Sequence, residues 1–539
     1  MPLNTGSLSM EVRTRDENSS TRRKIARSML CDCHWTLVDQ HEGTNNTPAT
    51  SDLLRKLAAE SVVVLKNQNN VLPLRKNKTT AVIGPNAKIA TFCGGGSASL
   101  LPYYAVSPLE GINKKVTTGV QGVDGCVGYK MISTLGPTSK TPSGKVGVLF
   151  RAYLDPPLVV DRTVVDEIDL PEANLFLMNY YELIVDNETV QVAGESFFGM
   201  GTVEEKGKLC LVAKKTYEIK VEFGSSGTCK LTTANVEFPG GGLRVGVVKT
   251  LGPEMEIEKA IKAAKSVDQV VLSIGLSGDW ESEGFDRRHM RLPGNTDALV
   301  AAVLDANPNT VVVLQSGTPV EMPWISKTDS IVEAWYGGNE TGNGITDVLF
   351  GDVNATGKLP LSFPIKVHDN PAYLNYRSER GRTLYGEDIY IGYRYYEAVE
   401  KDVLFPFGHG LSYSTFLLSD LTVETDATDG ALTVTANVTN ISGPSGSEVV
   451  QVYIRQCNPS IGRPTKELKA FRKVSLAPGQ SKTVKIVMEI KRAISFWDET
   501  AKAWISEKDT YDVLVGTSSA DIKLSARFET DKTLWWNGL

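Results

Sequence analysis

The 539-residue chain is poor in the residues that would fix its class at once. It has seven cysteines, at positions 31, 33, 93, 126, 210, 229 and 457, an odd number without recurrent spacing, so no disulfide framework is expected. It contains no apolar run of ~18 residues, so no membrane-spanning helix and no membrane partner are expected. Neither charge dominates: Lys plus Arg number 57 against 63 Asp plus Glu, for a net charge of -6 and a pI near 5.7. That balance disfavours a nucleic-acid reader, which would show a basic face. The first thirty residues lack the continuous apolar stretch of a secretion signal, so export is not written in them. Sequons at Asn45, Asn77, Asn187, Asn339, Asn354 and Asn437 matter only if the chain is exported.

What is present is ordinary globular material, 41% hydrophobic and 22% charged. Its length suggests three or four domains at ~150 residues each. Residues 1–50 are polar and poorly patterned, and HEGTNNTPATS reads as a linker ending in a helix cap at Ser51. DLLRKLAAESVVVL over 52–65 begins with helical spacing and runs into a solid apolar stretch, and TTAVIG at 79–84 is a short buried strand. From 254, EMEIEKAIKAAKSVD, TDALVAAVLDAN and GNGITDVLFG read as helices, while QVVLSIG, TVVVLQSG and SIVEAWYGG read as strands. Apolar strands alternating with helices predict a parallel sheet covered on both faces. The sheet domain is therefore expected over 51–144 and 243–384. The interruption at 145–242 alternates apolar and polar residues and reads as all-β. Beyond 385, ALTVTANVTNISG, SEVVQVYIRQ, SKTVKIVMEI and DTYDVLVGTSS predict an immunoglobulin-like or fibronectin-like sandwich within 385–539.

The densest polar constellation is Gly278-Asp279-Trp280-Glu281-Ser282-Glu283-Gly284-Phe285-Asp286-Arg287-Arg288, directly after VVLSIG. Sites in open α/β sheets lie outside the carboxyl ends of the strands, which is where this loop falls. A carboxylic acid beside Trp280 and Phe285 could act as a general acid; the alternative is a solvated acidic loop with Asp286 and Arg287 paired. A calcium loop starting at Asp279 fails because its twelfth position is Met290, which has no carboxylate. Cys31-Asp32-Cys33-His34 has no second ligand pair for zinc. Gly94-Gly95-Gly96-Ser97 lacks the spacing of a phosphate cradle and reads as a tight turn near a ligand or a packed backbone. His409 in FPFGHGLSY reads as structural. No metal and no cofactor are expected.

Taken in order, LLRKLAAESVVVLKNQNNVLPL, AVIGPNA, GGGSASLLPYYAVSPLEGI, GDWESEGFDRRHMRLPG, VVVLQSGTPVEMPW, AWYGGNETGNGITDVLFGDVNATGKLPLSFP, YGEDIYIGYRYYE and FPFGHGLSYSTF resemble glycoside hydrolase family 3 β-glucosidases of the fungal type. The resemblance covers about residues 50–539. It implies a multidomain α/β plus all-β protein. An α/β sandwich carries an inserted lectin-like, protective-antigen-like β domain, and a fibronectin III-like β-sandwich follows at the C-terminus. It also implies a retaining glycosidase, in which one carboxylate attacks the anomeric carbon and a second, roughly 5–5.5 Å away, protonates the leaving oxygen.

The family frame Glu-Gly-x-Asp-Arg aligns the acid/base on Glu283, with Glu281 as second choice. Trp280, Glu281 and Phe285 are then expected to contact substrate. The family's nucleophilic Asp lies in a Ser-Asp-Trp segment of an N-terminal barrel and has no counterpart here. TRRKIARSML is expected as a remnant of that barrel's last helix, and the inserted domain reads as short. The expected function is release of terminal β-D-glucosyl residues from a β-glucoside or oligosaccharide in cellulose or β-glucan catabolism, with this chain carrying the acid/base but not the nucleophile. The alternative is a carbohydrate-binding pseudoenzyme without turnover. The resemblance implies an extracellular location; the missing signal stretch leaves a cytoplasmic one.

Overall fold

The computed structural model describes residues 8–13, 45–95, 98, 100, 102–123, 143–144, the strands between 148 and 237, 253–278, 280–283, 286–287, 289–377, 379–426 and 430–538. Helix α1 spans Pro48–Ser61; the Thr47 side chain accepts from Thr50 N at 3.2 Å, and Pro48 stands where a helix has no N–H to use. The cap expected at Ser51 thus falls four residues earlier. The helix also stops at Ser61, and Val63–Asn67 becomes strand β1. Three consecutive valines, stiff at χ1, suit a pleated strand better than a helix.

Strands β2 (Thr80–Ile83), β3 (Val120–Val123), β4 (Gln269–Gly275), β5 (Thr310–Gln315) and β6 (Ser330–Glu333) complete a six-stranded sheet in the order β1-β6-β5-β4-β2-β3. Every neighbouring pair is parallel except β6–β1, so the all-parallel expectation is corrected to a mixed sheet. No crossover helix ties β1 to β6, and an edge strand without one is free to run antiparallel. The sheet also joins chain from both sides of the β-rich interruption, since β2, from the first stretch, lies against β4, from the second.

Helices α2 (Pro108–Asn113), α3 (Pro253–Lys265), α4 (Thr296–Ala306) and α5 (Thr341–Leu349) cover the two faces. Because side chains alternate along a strand, Val270, Leu272 and Ile274 enter one core with Ala260, Ala263, Leu299 and Val303. Val271 enters the other with Ile112, Ile345 and Val348. The unbroken apolar runs in the sequence are the mark of burial on both sides.

Between the two stretches lie Val148–Tyr153, Val164–Leu170, Tyr181–Val185, Glu188–Ala193 and Ile219–Gly224. They share a six-stranded sheet with Leu8–Arg13, which runs parallel to both Val148–Tyr153 and Ile219–Gly224. That strand lies in the segment expected to be a linker. Its sequence, LSMEVR, carries the period-2 alternation that marks a strand. TRRKIARSML and Cys31–His34 lie outside the described residues.

The C-terminal part is the expected fibronectin-like sandwich. Thr415–Asp426, Ala431–Ser442 and Ser481–Glu489 form one sheet; Glu467–Leu476, Gly446–Gln456, Thr510–Gly516 and Ile522–Glu529 form the other. Val434, Val438, Val450, Val452, Val513 and Val515 fill the space between them. Asn354 fastens this unit to the α/β layer: its amide donates to Ser414 Oγ (2.8 Å) and Ser445 O (3.2 Å), and its Oδ1 accepts from Ser412 Oγ and Tyr413 N, both at 2.9 Å. The nitrogen a glycan would need at this sequon is therefore occupied by a structural bond. His409 is structural as expected, with Nε2 2.8 Å from Leu65 O and its ring stacked on Phe405.

Helix α5 passes so close to α1 that a Cβ on Gly344 would lie 2.6 Å from Ala58 Cβ and 2.8 Å from Ala59 N. Gly344→Ala sets a helix-propensity gain of about 0.5–1 kcal/mol against overpacking costs of about 1–3 kcal/mol. Overpacking should win, lowering the urea midpoint of the α/β unit. An unchanged or raised midpoint would show that the two helices can part without cost.

Candidate active site

Strand β4 is buried along its whole length and ends at Gly275; the chain then turns sharply, with Trp280 N and Glu281 N both donating to Ser277 O at 2.9 Å. This places the acidic loop at the carboxyl end of the sheet. Gly95, after β2, packs against it: Gly95 N donates to Glu281 O at 2.9 Å, and Gly95 pairs with Ser282 in an isolated bridge. A Cβ on Gly95 would lie 2.5 Å from both Gly278 O and Ser282 Oγ, so only glycine permits the contact. Of the two readings of the glycine run, a packed backbone is the one seen at this residue; Gly96 and Ser97 lie outside the described residues.

Glu281 does not face solvent. Its carboxylate accepts from Gly317 N at 2.6 Å, from Thr318 Oγ1 and from the Tyr336 hydroxyl, with Arg287 Nη2 3.8 Å away. Gly317 and Thr318 follow β5 and Tyr336 follows β6, so three strand ends converge on one carboxylate. Glu283, two residues on, is exposed at the outer turn of the same loop, where Ser282 Oγ donates to its carbonyl at 3.2 Å. Trp280 is half-buried and packs on the core beneath the sheet's end. Phe285, with Asp279, Gly284 and Arg288, lies outside the described residues.

The anticipated Asp286–Arg287 alternative takes a different form. Arg287 turns inward, donating to Thr318 Oγ1 at 2.6 Å and Pro319 O at 3.0 Å, while Asp286 accepts from Tyr376. Burial lowers the Arg287 pKa, and the Glu281 carboxylate opposes that shift. Burial raises the Tyr336 phenol well above its usual value, with Glu281 adding to the rise. The phenol thus stays a donor to Glu281 throughout the ordinary pH range.

Sequence reasoning missed Tyr336, Thr318, Gly317 and the acid beneath them, Glu333. That last residue had a signal: a glutamate inside the apolar strand SIVE is out of place unless something holds it. It is fully buried; its carboxyl accepts from Trp335 N at 3.0 Å and faces Ser316 Oγ at 3.4 Å. Burial pushes its pKa well above the usual 4.5, the Trp335 and Ser316 bonds oppose this, and the Glu281 charge adds to the rise. The other three carry no signal in sequence, because strand order alone brings them beside Glu281. Among the described residues no group of three or more His, Cys, Asp or Glu is gathered as a metal site.

Residues 62–413 match the family model of the Glycosyl hydrolase family 3 C-terminal domain, and residues 448–519 that of the Fibronectin type III-like domain. The chain is 48% identical to Probable beta-glucosidase I of Aspergillus niger, over 92% of this chain and 66% of that protein. It is equally 48% identical to Probable beta-glucosidase I of Aspergillus clavatus, over 92% of this chain and 65% of that one. Among solved structures, the Kluyveromyces marxianus beta-glucosidase in complex with glucose superposes with a TM-score of 0.82 at 41% identity, over 94% of this chain and 65% of that one. The chain thus spans slightly less than two thirds of the length of these relatives.

Glu333 yields a pH prediction. Its folded pKa lies above the unfolded value, so above about pH 4.5 the native state keeps a proton that the unfolded chain releases, and stability falls as pH rises. Glu333→Gln removes this term while keeping an acceptor for Trp335 N. The variant should match the wild type at about pH 4 and gain on it towards about pH 7 in urea unfolding. A difference independent of pH would show that Glu333 is not held protonated.

Proposed function

The chain belongs to glycoside hydrolase family 3, and from that premise we propose that it serves a β-glucosidase, releasing terminal β-D-glucosyl residues from β-glucosides and oligosaccharides by a retaining mechanism. The observation that carries the proposal is Glu283: an exposed carboxylate on an anchored loop, at the carboxyl end of a sheet whose relatives are named beta-glucosidases.

In the first step the C1–O bond breaks as a carboxylate nucleophile attacks C1, and Glu283 gives its proton to the departing oxygen, so the aglycone leaves as a neutral alcohol. In the second, the ionised Glu283 takes a proton from water while the water oxygen attacks C1 and releases the nucleophile. Glu283 thus ends protonated, ready for the next cycle. The nucleophile is assigned to the Asp that the family resemblance places in a barrel, and to no residue of this chain. Trp280 and Phe285, flanking the acid, are assigned to the sugar's surroundings, where an apolar face stacks on C–H bonds and keeps water from the acid. Glu281 is assigned differently from the sequence expectation: its oxygens already accept from three protein donors, which suits holding the loop better than binding a sugar hydroxyl.

A general acid matters most when the leaving group is basic. With a family barrel fused upstream to supply the nucleophile, Glu283→Ala should therefore slow cellobiose cleavage by roughly 10²–10⁴-fold and cleavage of an activated aryl β-glucoside much less. Azide should restore part of the aryl glucoside rate, by attacking the glycosyl-enzyme through the vacated space. Unchanged rates on both substrates would remove Glu283 from the chemistry. Wild-type sugar binding without turnover on either substrate would replace the hydrolase with a carbohydrate-binding protein.

A further inference from the structure

The strand ends that hold Glu281 also hold a second carboxyl group. Ser316 faces Glu333 while the next residues, Gly317 and Thr318, donate to Glu281. Trp335 N donates to Glu333 while the next residue, Tyr336, donates to Glu281. The backbone pays for this arrangement in strain: Trp335 sits at φ 52°, a left-handed conformation that a bulky residue adopts only when its surroundings enforce it. What enforces it is visible. The Trp335 indole donates to Ser61 O at 3.1 Å and meets Phe363 edge-on, while its amide is turned back onto Glu333. The strained residue aims Tyr336 at Glu281.

We propose that Glu281 and Tyr336 are positioning residues that hold Glu283 in place, with Glu333 and the strained Trp335 setting where Tyr336 stands. The proposal rests on the acid/base assignment of Glu283. Two peptide units span at most roughly 7 Å, so a chain pinned at residue 281 leaves residue 283 little room to wander. The pin acts on both side chain and backbone: the carboxylate is gripped by Gly317, Thr318 and Tyr336, and the carbonyl by Gly95 N. Arg287, 3.8 Å from the carboxylate and bonded to Thr318 and Pro319, draws the far end of the loop onto the same anchor. A proton donor must lie within hydrogen-bond reach of the glycosidic oxygen, and a shift of about 1 Å can cost 10²-fold in rate. Glu281 and Tyr336 need not touch substrate to matter.

The test uses the full chain and the variants Tyr336→Phe, Glu281→Ala and Glu281→Gln. Amide hydrogen exchange of peptides covering 277–290 should speed up about tenfold or more in Tyr336→Phe and Glu281→Ala, because each loses a bond to a charged acceptor. Glu281→Gln should recover much of the protection, since its amide oxygen still accepts from Gly317 N. Peptides of the fibronectin-like sandwich should not change. In turnover assays with the family barrel fused upstream, Tyr336→Phe and Glu281→Ala should lower kcat for cellobiose with KM held, and azide should not rescue them, because Glu283 still fills its place. Unchanged exchange in the loop overturns the proposal whether or not the chain turns over. Faster exchange with both kcat and KM unmoved in an active chain overturns it as well. If the chain shows no turnover, the exchange result alone decides. Faster exchange together with a silent Glu283→Ala would instead leave the loop anchor standing and overturn the acid/base assignment.

Discussion

Strands β4 and β5 are buried on both faces, and everything chemical about the α/β unit follows from that constraint. A strand with a core on each side holds a polar side chain in its interior only where a partner meets it, as Gln315 meets Ser273, and otherwise places its polar residues at its ends. Parallel running then puts equivalent ends on one edge, where the residues after β2, β4, β5 and β6 meet: Gly95, Glu281, Gly317 with Thr318, and Tyr336. The site edge is not a separate invention laid over the fold. It is where the sheet runs out of apolar surroundings.

Glu333 tests the rule from within. It is fully buried at the last position of β6, and a carboxylate there would cost several kcal/mol unless paired. The structure meets this by keeping the acid neutral, through burial and the nearby Glu281 charge, and by supplying the Trp335 N–H. Glu281 is met differently, by three donors and by a guanidinium 3.8 Å away.

The fibronectin-like sandwich obeys a simpler logic. Its strand Ala431–Ser442 alternates half-buried and buried residues because one face meets the other sheet and the other is more open to solvent. Its attachment to the α/β unit is polar, with Asn354 bonded to four residues across the joint, Lys358 paired with Glu448, and Lys473 with Glu60. Losing that amide would leave four partners, one of them the buried Ser414, without these bonds at once.

Periodicity alone determined the two kinds of layer: unbroken apolar strands between amphipathic helices, then period-2 strands between turns. It also marked the loop after VVLSIG as the polar end of a buried strand, because such a strand can place its charge nowhere else. It did not separate α1 from β1, since the helical spacing of DLLRKLAAES runs into VVVL without a break, and the short alternation in LSMEVR does not stand out among its polar neighbours. The roles within the loop were beyond it. Glu281 and Glu283 are the same residue type two positions apart, and only the family resemblance, through the Glu-Gly-x-Asp-Arg frame, ranked Glu283 first; spacing does not separate them. Only the order of the strands, which carries Thr318 and Tyr336 from far along the chain to the side of Glu281, makes one carboxylate an anchor and leaves the other exposed, because a hydrogen bond depends on distance in space and not on separation in sequence.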